Sequence, residues 1–414
     1  MTSRPGYILG LRLRLWSALG FVGALLLCAA PVRANNVTVD CTGGTPGAFT
    51  SVQSAIDSLN YVGPHTVTML NGNIANCIEN VLILNRQRIT FQPQTSGFGV
   101  TIVSPDPSNV PVRVFGSTGI VFTEVGFGNG FNGLVVDRGS EVQALGCTVS
   151  GNSNAGIIVR GNSTLRIGSG LIQNNGGTGV NVVGGGSLTV DSDVTIQNNG
   201  SGVRVVNGSN VRIFAPAAIL SNSVGITAGD ASSVTLFGDP DTPSPVRIEG
   251  NTLIGINTFG GHVVMFGPVR VRNNGSSGGQ FHAGVRSDDN ALVVAAGSGD
   301  VDISNNFGPG IEATNGGALD VSGATINNNT EDGIRLLGNS QVAFFPPNTN
   351  AISGNGGRSI LCDNSSYFFG DLTGLYNVVC RVAELRGRPH RSWMDNNSPR
   401  EEKPVPYIPA WRKH

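Results

Sequence analysis

Two residues after a recurrent glycine, the chain carries in order Asn181, Arg204, Thr227, Asn257, Arg286, Glu312 and Arg335. Arginine can grip a carboxylate through two parallel N–H donors. A carboxylate beside arginine can take up or release a proton. Asp288 follows Arg286 by two residues, and His282 stands shortly before it. These groups lie far apart in sequence, so they act together only if a regular fold stacks them.

A regular fold is written into the same stretch. An aliphatic residue precedes an asparagine by three positions at Val149/Asn152, Ile172/Asn175, Ile196/Asn199, Ile219/Asn222, Ile248/Asn251, Val271/Asn274, Ile303/Asn306, Ile326/Asn329 and Ile352/Asn355. A Gly-aliphatic step follows each of the first eight, from Gly156-Ile157 to Gly333-Ile334. A short period held over this many units predicts a solenoid whose units pack only on their neighbours.

Within one unit, Val180/Val182, Leu188/Val190 and Val194/Ile196 alternate with polar residues. This is the period of strands buried on one face. Gly184-Gly185-Gly186 and Asn198-Asn199-Gly200 supply turns. The pattern predicts an all-β parallel β-helix with three strands per coil. Stacked coils would set the asparagines in a vertical ladder. After each glycine, positions +1 and +3 point inward and +2 outward. The inward pairs of the second strand are read as Leu165/Ile167, Val211/Ile213, Val234/Leu236, Leu292/Val294 and Leu319/Val321. On the third strand the same stacking sets Arg270 beside Asp302, and Glu249 beside Arg272, as surface ion pairs.

The ends break the pattern. Arg4, Arg12 and Arg14 precede the apolar stretch Leu15 to Ala30 and a Val32-Arg33-Ala34 cleavage site, so residues 1–34 read as a signal peptide. Residues 35–65 form an N-terminal cap, in which Val52, Ala55, Ile56 and Leu59 share one helical face after Thr50 or Ser51 as N-cap. The β-helix occupies 66–382, with less regular strands near 66–70, 81–84, 89–91 and 100–103. A tail rich in Pro and charge fills 383–414.

Charged residues make up 13% of the chain, and the formal net charge is −1. Loss of four arginines with the leader takes this to −5, too mild to imply nucleic acid or a membrane surface. No membrane span is expected in the mature chain, and a monomer is. Export to a secreted, periplasmic or cell-surface location permits disulfides. Of six cysteines, Cys28 lies in the leader; Cys41 with Cys77 and Cys362 with Cys380 could staple the two ends. Cys147 falls in an inward slot as a core thiol. No Cys or His pair has ligand spacing, so no metal site is expected. No cofactor is identified; Ca2+ is the one ion left open.

The capping segment Phe49-Thr50-Ser51-Val52-Gln53-Ser54-Ala55-Ile56, the later Glu79-Asn80-Val81 and the repeats resemble the right-handed parallel β-helix, pectin-lyase-like superfamily over most of 37–380. The resemblance implies a right-handed coil, and substrates lying along a groove on the first-strand sheet. It does not carry over a catalytic set. Asp288-Asp289 matches one polygalacturonase element, but Asn257-Thr258 is followed by Phe259, and His262 precedes the pair. Gly387-Arg388-Pro389 is followed by His390 rather than the Trp of pectin methylesterases. Asp239-Pro240-Asp241 departs from the alginate epimerase motif.

Glycine-to-glycine spacing grows beyond 23 residues after Gly225, Gly255 and Gly284, through the insertions 239–245 and 275–282. Inserted loops on a rigid scaffold often set specificity. The substrate-binding set is therefore Arg204, Asn257, His282, Arg286, Asp288, Glu312 and Arg335. The expected function is a secreted carbohydrate-binding or structural protein, with a polysaccharide as partner. The alternative is a lyase or hydrolase of acidic glycans. Cleavage of the leader should leave Asn35-Asn36-Val37 as the N-terminus of the exported protein; terminal sequencing checks this, and a retained leader overturns it.

Overall fold

A computed structural model describes residues 34–382, apart from 71–75, 98, 192, 242–243, 279–281, 346–349, 371–374 and 376. The expected signal peptide 1–34 (Ala34 aside) and the tail 383–414 lie outside the described residues. All paired strands run parallel. One sheet has 13 strands, each the first strand of a coil, from Val81–Leu84 through Thr178–Val183 and Ala283–Asp288 to Val378–Val379. The second and third strands form a 25-stranded sheet folded around the other sides. Val180 and Val182 align with Val203 and Val205, and these with Ile226 and Ala228, so the inward set stacks as a column. All six are fully buried.

Each asparagine of the repeat lies at the corner between the third strand and the next first strand. Its Nδ2 donates to Oδ1 of the asparagine one coil on, at 2.9–3.2 Å, unbroken from Asn152 to Asn355. The same Oδ1 also accepts the backbone N–H of the preceding asparagine, as from Asn175 to Asn199 at 3.0 Å. A further Nδ2 bond goes back to the aliphatic residue of the preceding coil, as from Asn199 to the Ile172 carbonyl at 3.3 Å. Every polar atom of these buried amides therefore has a partner, which burial demands.

The glycine of each unit follows from the ladder. A Cβ on Gly202 would lie 2.6 Å from the Gly225 carbonyl, 2.6 Å from a methyl of Ile219 and 3.0 Å from the Asn222 amide. Gly179, Gly225, Gly255 and Gly310 meet the same three groups one coil on, with Val271 in place of Ile beside Gly255, and Gly284 is hemmed in by the Gly310 carbonyl and the Asn306 amide. Aliphatic, asparagine and glycine thus recur together because they touch across coils. Residues just before the ladder, including Asn174, Asn198, Asn273, Asn305 and Asn328, turn the corner at φ of 53–55°, which Asn tolerates better than most residues.

A second, sparser ladder stands at the corner before the second strand. The Oγ of Ser117, Ser140, Ser163, Ser232 and Ser366 each accepts a backbone N–H from the coil before. Serine is common in this chain, so its recurrence does not stand out from sequence.

The N-terminal end is closed by a helix, Val52–Ser58, that buries Val52, Ala55 and Ile56. Ser51 is the N-cap, accepting from the Ser54 N–H. Glu79 closes the same terminus from the coil beneath. Its carboxylate accepts from Val52 N at 2.7 Å, Gln53 N at 3.0 Å and Ser51 Oγ at 2.8 Å. Negative charge is favoured at a helix N-terminus. The strand Asn35–Val39 already pairs with Val62–Met69. Phe91, Phe122 and Phe127 pack ring to ring in the first coils, with centroids 4.9 and 5.1 Å apart.

Two readings are corrected. Val293 and Ala295, not Leu292 and Val294, align with the inward Val263 and Met265. The run Leu292-Val293-Val294-Ala295 is apolar throughout, so alternation cannot choose its face, and one residue of slip inverts every side chain. Three separate strands per coil also fail in two coils, where the second and third fuse into Leu292–Ser304 and Ala318–Asn327. There a register shift between Ala296 and Val301 replaces the corner.

Cys41 is bonded to Cys77, and Cys362 to Cys380. Two disulfides fit an extracellular protein. No described helix is long and apolar enough to cross a membrane. Cys147 is buried, and burial pushes its thiol up to about 12. Asn199→Ala strands the two Asn175 donors on the preceding coil and removes the bond given to Asn222 Oδ1 on the next, and should lower stability by about 1–3 kcal/mol; Gly202→Ala should cost a similar ~1–3 kcal/mol by overpacking. The exposed control Asn210→Ala should stay near wild type in thermal unfolding. Unchanged melting of Asn199→Ala would remove the ladder from the account.

Candidate functional site

The +2 residues stack in register on the outer face of the 13-stranded sheet. Asn181 aligns with Arg204, Arg204 with Thr227, Thr227 with Asn257, and Asn257 with Arg286. Arg286 then aligns with Glu312, and Glu312 with Arg335. Neighbouring rungs of a sheet lie about 4.8 Å apart, so these side chains form one patch. Arg204 stands apart from the charged end and donates to Asn181 Oδ1 at 3.4 Å.

Glu312 is the centre. Its carboxylate oxygens lie 4.0 Å from Arg286 Nε and 3.9 Å from Arg335 Nη1. Both distances exceed hydrogen-bond reach. Each arginine is bonded elsewhere. Arg286 donates to Asp288 Oδ2 at 3.1 Å. Asp288 Oδ1 in turn accepts from Asn315 Nδ2 at 2.9 Å. Arg335 is bound by Asp332 at 2.8 and 3.0 Å, and by Glu331 Oε2 at 2.5 Å. His282, at the end of its insertion, meets Glu331 Oε1 at 2.9 Å. Gly308 lets it approach, since a Cβ there would collide with the His282 ring and carbonyl.

Geometry therefore joins His282, Arg286, Asp288, Glu312 and Arg335 into one network. Asn257 adjoins it, one rung before Arg286, and Arg204 lies two rungs further off. Glu331 and Asp332 escaped the sequence reading because they sit in a turn, not in the strand column. The available signal was their place just before Gly333, within reach of an arginine two residues beyond that glycine. With them the patch holds two arginines and four carboxylates (2 − 4 = −2 with His282 neutral).

The two glutamates are driven in opposite directions. Burial raises Glu312 above the usual carboxyl range, and the attraction of Arg286 and Arg335 fails to offset it. Burial also pushes Glu331 upward, but hydrogen bonds from His282 and Arg335 outweigh it and hold the group low. For Arg335, burial favours the neutral form, while Asp332 and Glu331 more than restore its charge. Elsewhere, Cys41, Cys77 and Glu79 cluster within 4.8 Å. The sulfurs are joined in a disulfide and Glu79 caps the helix, so this is no metal centre.

The surface pairs on the third strand are corrected in detail. Arg270 aligns with Asp302 and Glu249 with Arg272. The bonds formed are Arg272 to Asp302, and Arg247 to Glu249 at 2.6 Å. A long guanidinium stem reaches diagonally, so register alone does not choose its partner.

Residues 99–241 match the family model described as a right handed beta helix region. The chain is a right-handed parallel β-helix. Among solved structures, it is similar to the A-module of the Azotobacter vinelandii mannuronan C-5 epimerase AlgE4, with 14% identity and a TM-score of 0.45 over 84% of this chain and 100% of that one. It is also similar to the pectate lyase Pel9A, with 13% identity and a TM-score of 0.33 over 80% of each chain. Tailspike protein 3 of bacteriophage CBA120 shares 11% identity, with a TM-score of 0.38 over 85% of this chain and 64% of the tailspike chain. No curated protein matches the sequence.

The network has a pH signature. Glu312 titrates high in the fold, so its contribution to stability is lost as pH rises through its folded pKa. Glu331 titrates low, so its contribution is lost as pH falls. The melting temperature of Glu312→Gln relative to wild type should therefore improve from pH 4 to pH 8, and that of Glu331→Gln should worsen. Parallel trends for the two variants would refute the opposed shifts.

Proposed function

We propose that this β-helix binds a polysaccharide along the outer face of the 13-stranded sheet, around Arg286, Glu312 and Arg335. The observation that carries the reading is the Glu312 carboxyl. It is only 12% exposed, flanked by two guanidinium groups, and hydrogen-bonded to no described residue. A hydroxyl from a ligand could bridge Glu312 and either arginine, supplying the bonds that these distances leave unmade. Asp288, Glu331 and Asp332 hold the arginines in place, so little side-chain freedom is lost on binding.

The charge balance bears on which glycan is bound. Arg335 is already held by Glu331 and Asp332, and Arg286 by Asp288. A patch of net −2 disfavours a polyuronate, and a neutral glycan suits it better. The enzyme alternative rests on one observation: a half-enclosed carboxyl between two guanidinium groups, which burial raises above the usual carboxyl range, would suit a general acid.

Binding to a panel of soluble neutral and acidic polysaccharides, followed by affinity electrophoresis, tests the reading. Glu312→Ala should weaken binding by about 10- to 100-fold, the worth of a charge-assisted hydrogen bond, while Arg270→Ala on the other sheet should not. Release of reducing or unsaturated ends that Glu312→Gln abolishes would favour the enzyme instead. Wild-type protein that neither binds nor cleaves any member of the panel would leave a structural role.

A further inference from the structure

Phe259 is the aromatic residue that ends the strand Ile254–Phe259, on the sheet face that carries Glu312. Its position points outward: Thr258 before it is fully buried, whereas Phe259 is only partly so. Its row runs Gly229, Phe259, Asp288 in register. A Cβ on Gly229 would collide with Cδ2, Cε2 and Cζ of the Phe259 ring. The ring thus occupies the space a side chain at 229 would fill, over bare backbone. Phe259 is absent from the inner core cluster. Its neighbour on the other side, Asp288, is fixed by Arg286 and Asn315.

Three outward aromatics on the other sheet behave differently. Phe214, Phe237 and Phe266 stack on one another at 4.9 and 6.0 Å, with interplanar angles of 11° and 24°. Their faces are turned to each other and their edges outward. A single ring lying over glycine, beside a fixed carboxylate, suits an amphipathic ligand better.

We infer that Phe259 is the stacking platform of the glycan site, and that the bound unit is a neutral β-linked glucopyranose. The inference rests on the polysaccharide reading above and adds the class of sugar. An aromatic face is electron-rich and attracts weakly positive hydrogens. A β-glucopyranose with all its substituents equatorial presents axial C–H groups on each face, and hydroxyls around its rim. The C–H face would lie on Phe259, and the rim hydroxyls would reach Asp288, Arg286 and Glu312. A uronate would bring its charge against the net −2 of this patch. Phe259 acts here by positioning, not by proton transfer.

The test uses the full-length protein with xyloglucan as the neutral β-glucan and polygalacturonate as the acidic comparison, in affinity electrophoresis and calorimetry. Phe259→Ala should weaken xyloglucan binding about tenfold, the upper end of an aromatic stacking contribution. Phe259→Trp should retain it. Gly229→Ala should weaken binding with Phe259 still present, because the ring loses its seat. Phe266→Ala should bind as wild type. Melting curves of all four variants check that each folds, and Phe259→Trp answers the question should Phe259→Ala fail to. If Glu312→Ala abolishes xyloglucan binding while Phe259→Ala and Gly229→Ala leave it intact, the platform is wrong and the glycan site stands. Preference for polygalacturonate would overturn the sugar class. Binding to neither polymer would overturn the inference, and loss of every glycan in the wider panel would overturn the site as well.

Discussion

The buried asparagine at one corner of each coil is the constraint on which the rest of this structure depends. Its Nδ2 donates to the next coil, while its Oδ1 accepts from the preceding coil and Nδ2 also donates to a backbone carbonyl there. An amide in this position tolerates neither a shift of register nor a change in coil spacing, because either would strand polar atoms away from water. Glycine is then required across from it, and an aliphatic residue must present its carbonyl. Three residue types are thus held by one set of contacts, repeated along the axis.

A fixed register has a direct consequence for the surface. Residues at equal positions in successive coils become neighbours whether or not they suit each other. On the first-strand face this brings Arg286, Glu312 and Arg335 into line. Because the backbone cannot move to relieve the arrangement, turns and insertions adjust it. Glu331 and Asp332 reach in from one turn, and His282 from an inserted loop. The rigid sheet sets the row, and the less constrained corners set its charge.

That division explains why two glutamates so close together are pushed apart in acidity. Glu331 stands at the rim, where two cationic or donor groups meet it within hydrogen-bond distance. Glu312 stands on the sheet itself, where its rung neighbours are a strand spacing away and burial dominates. The sheet geometry that aligns Glu312 with two arginines also keeps it from bonding them. A group in that state is poised to bond something else, which is the physical basis of the proposed site.

Much of this was legible in the sequence. The period, the inward and outward sets, the order of the +2 column and the helix at 52–58 all follow from local backbone geometry, which a repeat writes directly into residue spacing. The face of 292–295 was not legible, because four apolar residues in a row carry no alternation. Glu79 at the helix terminus, the diagonal Arg272–Asp302 pair, the acids Glu331 and Asp332 around Arg335, and the Phe259 ring over Gly229 were decided by the tertiary structure alone. Each joins residues through the reach of a side chain across coils or out of a turn. Spacing along the chain encodes which rung a residue occupies, but not where a long side chain extends from it.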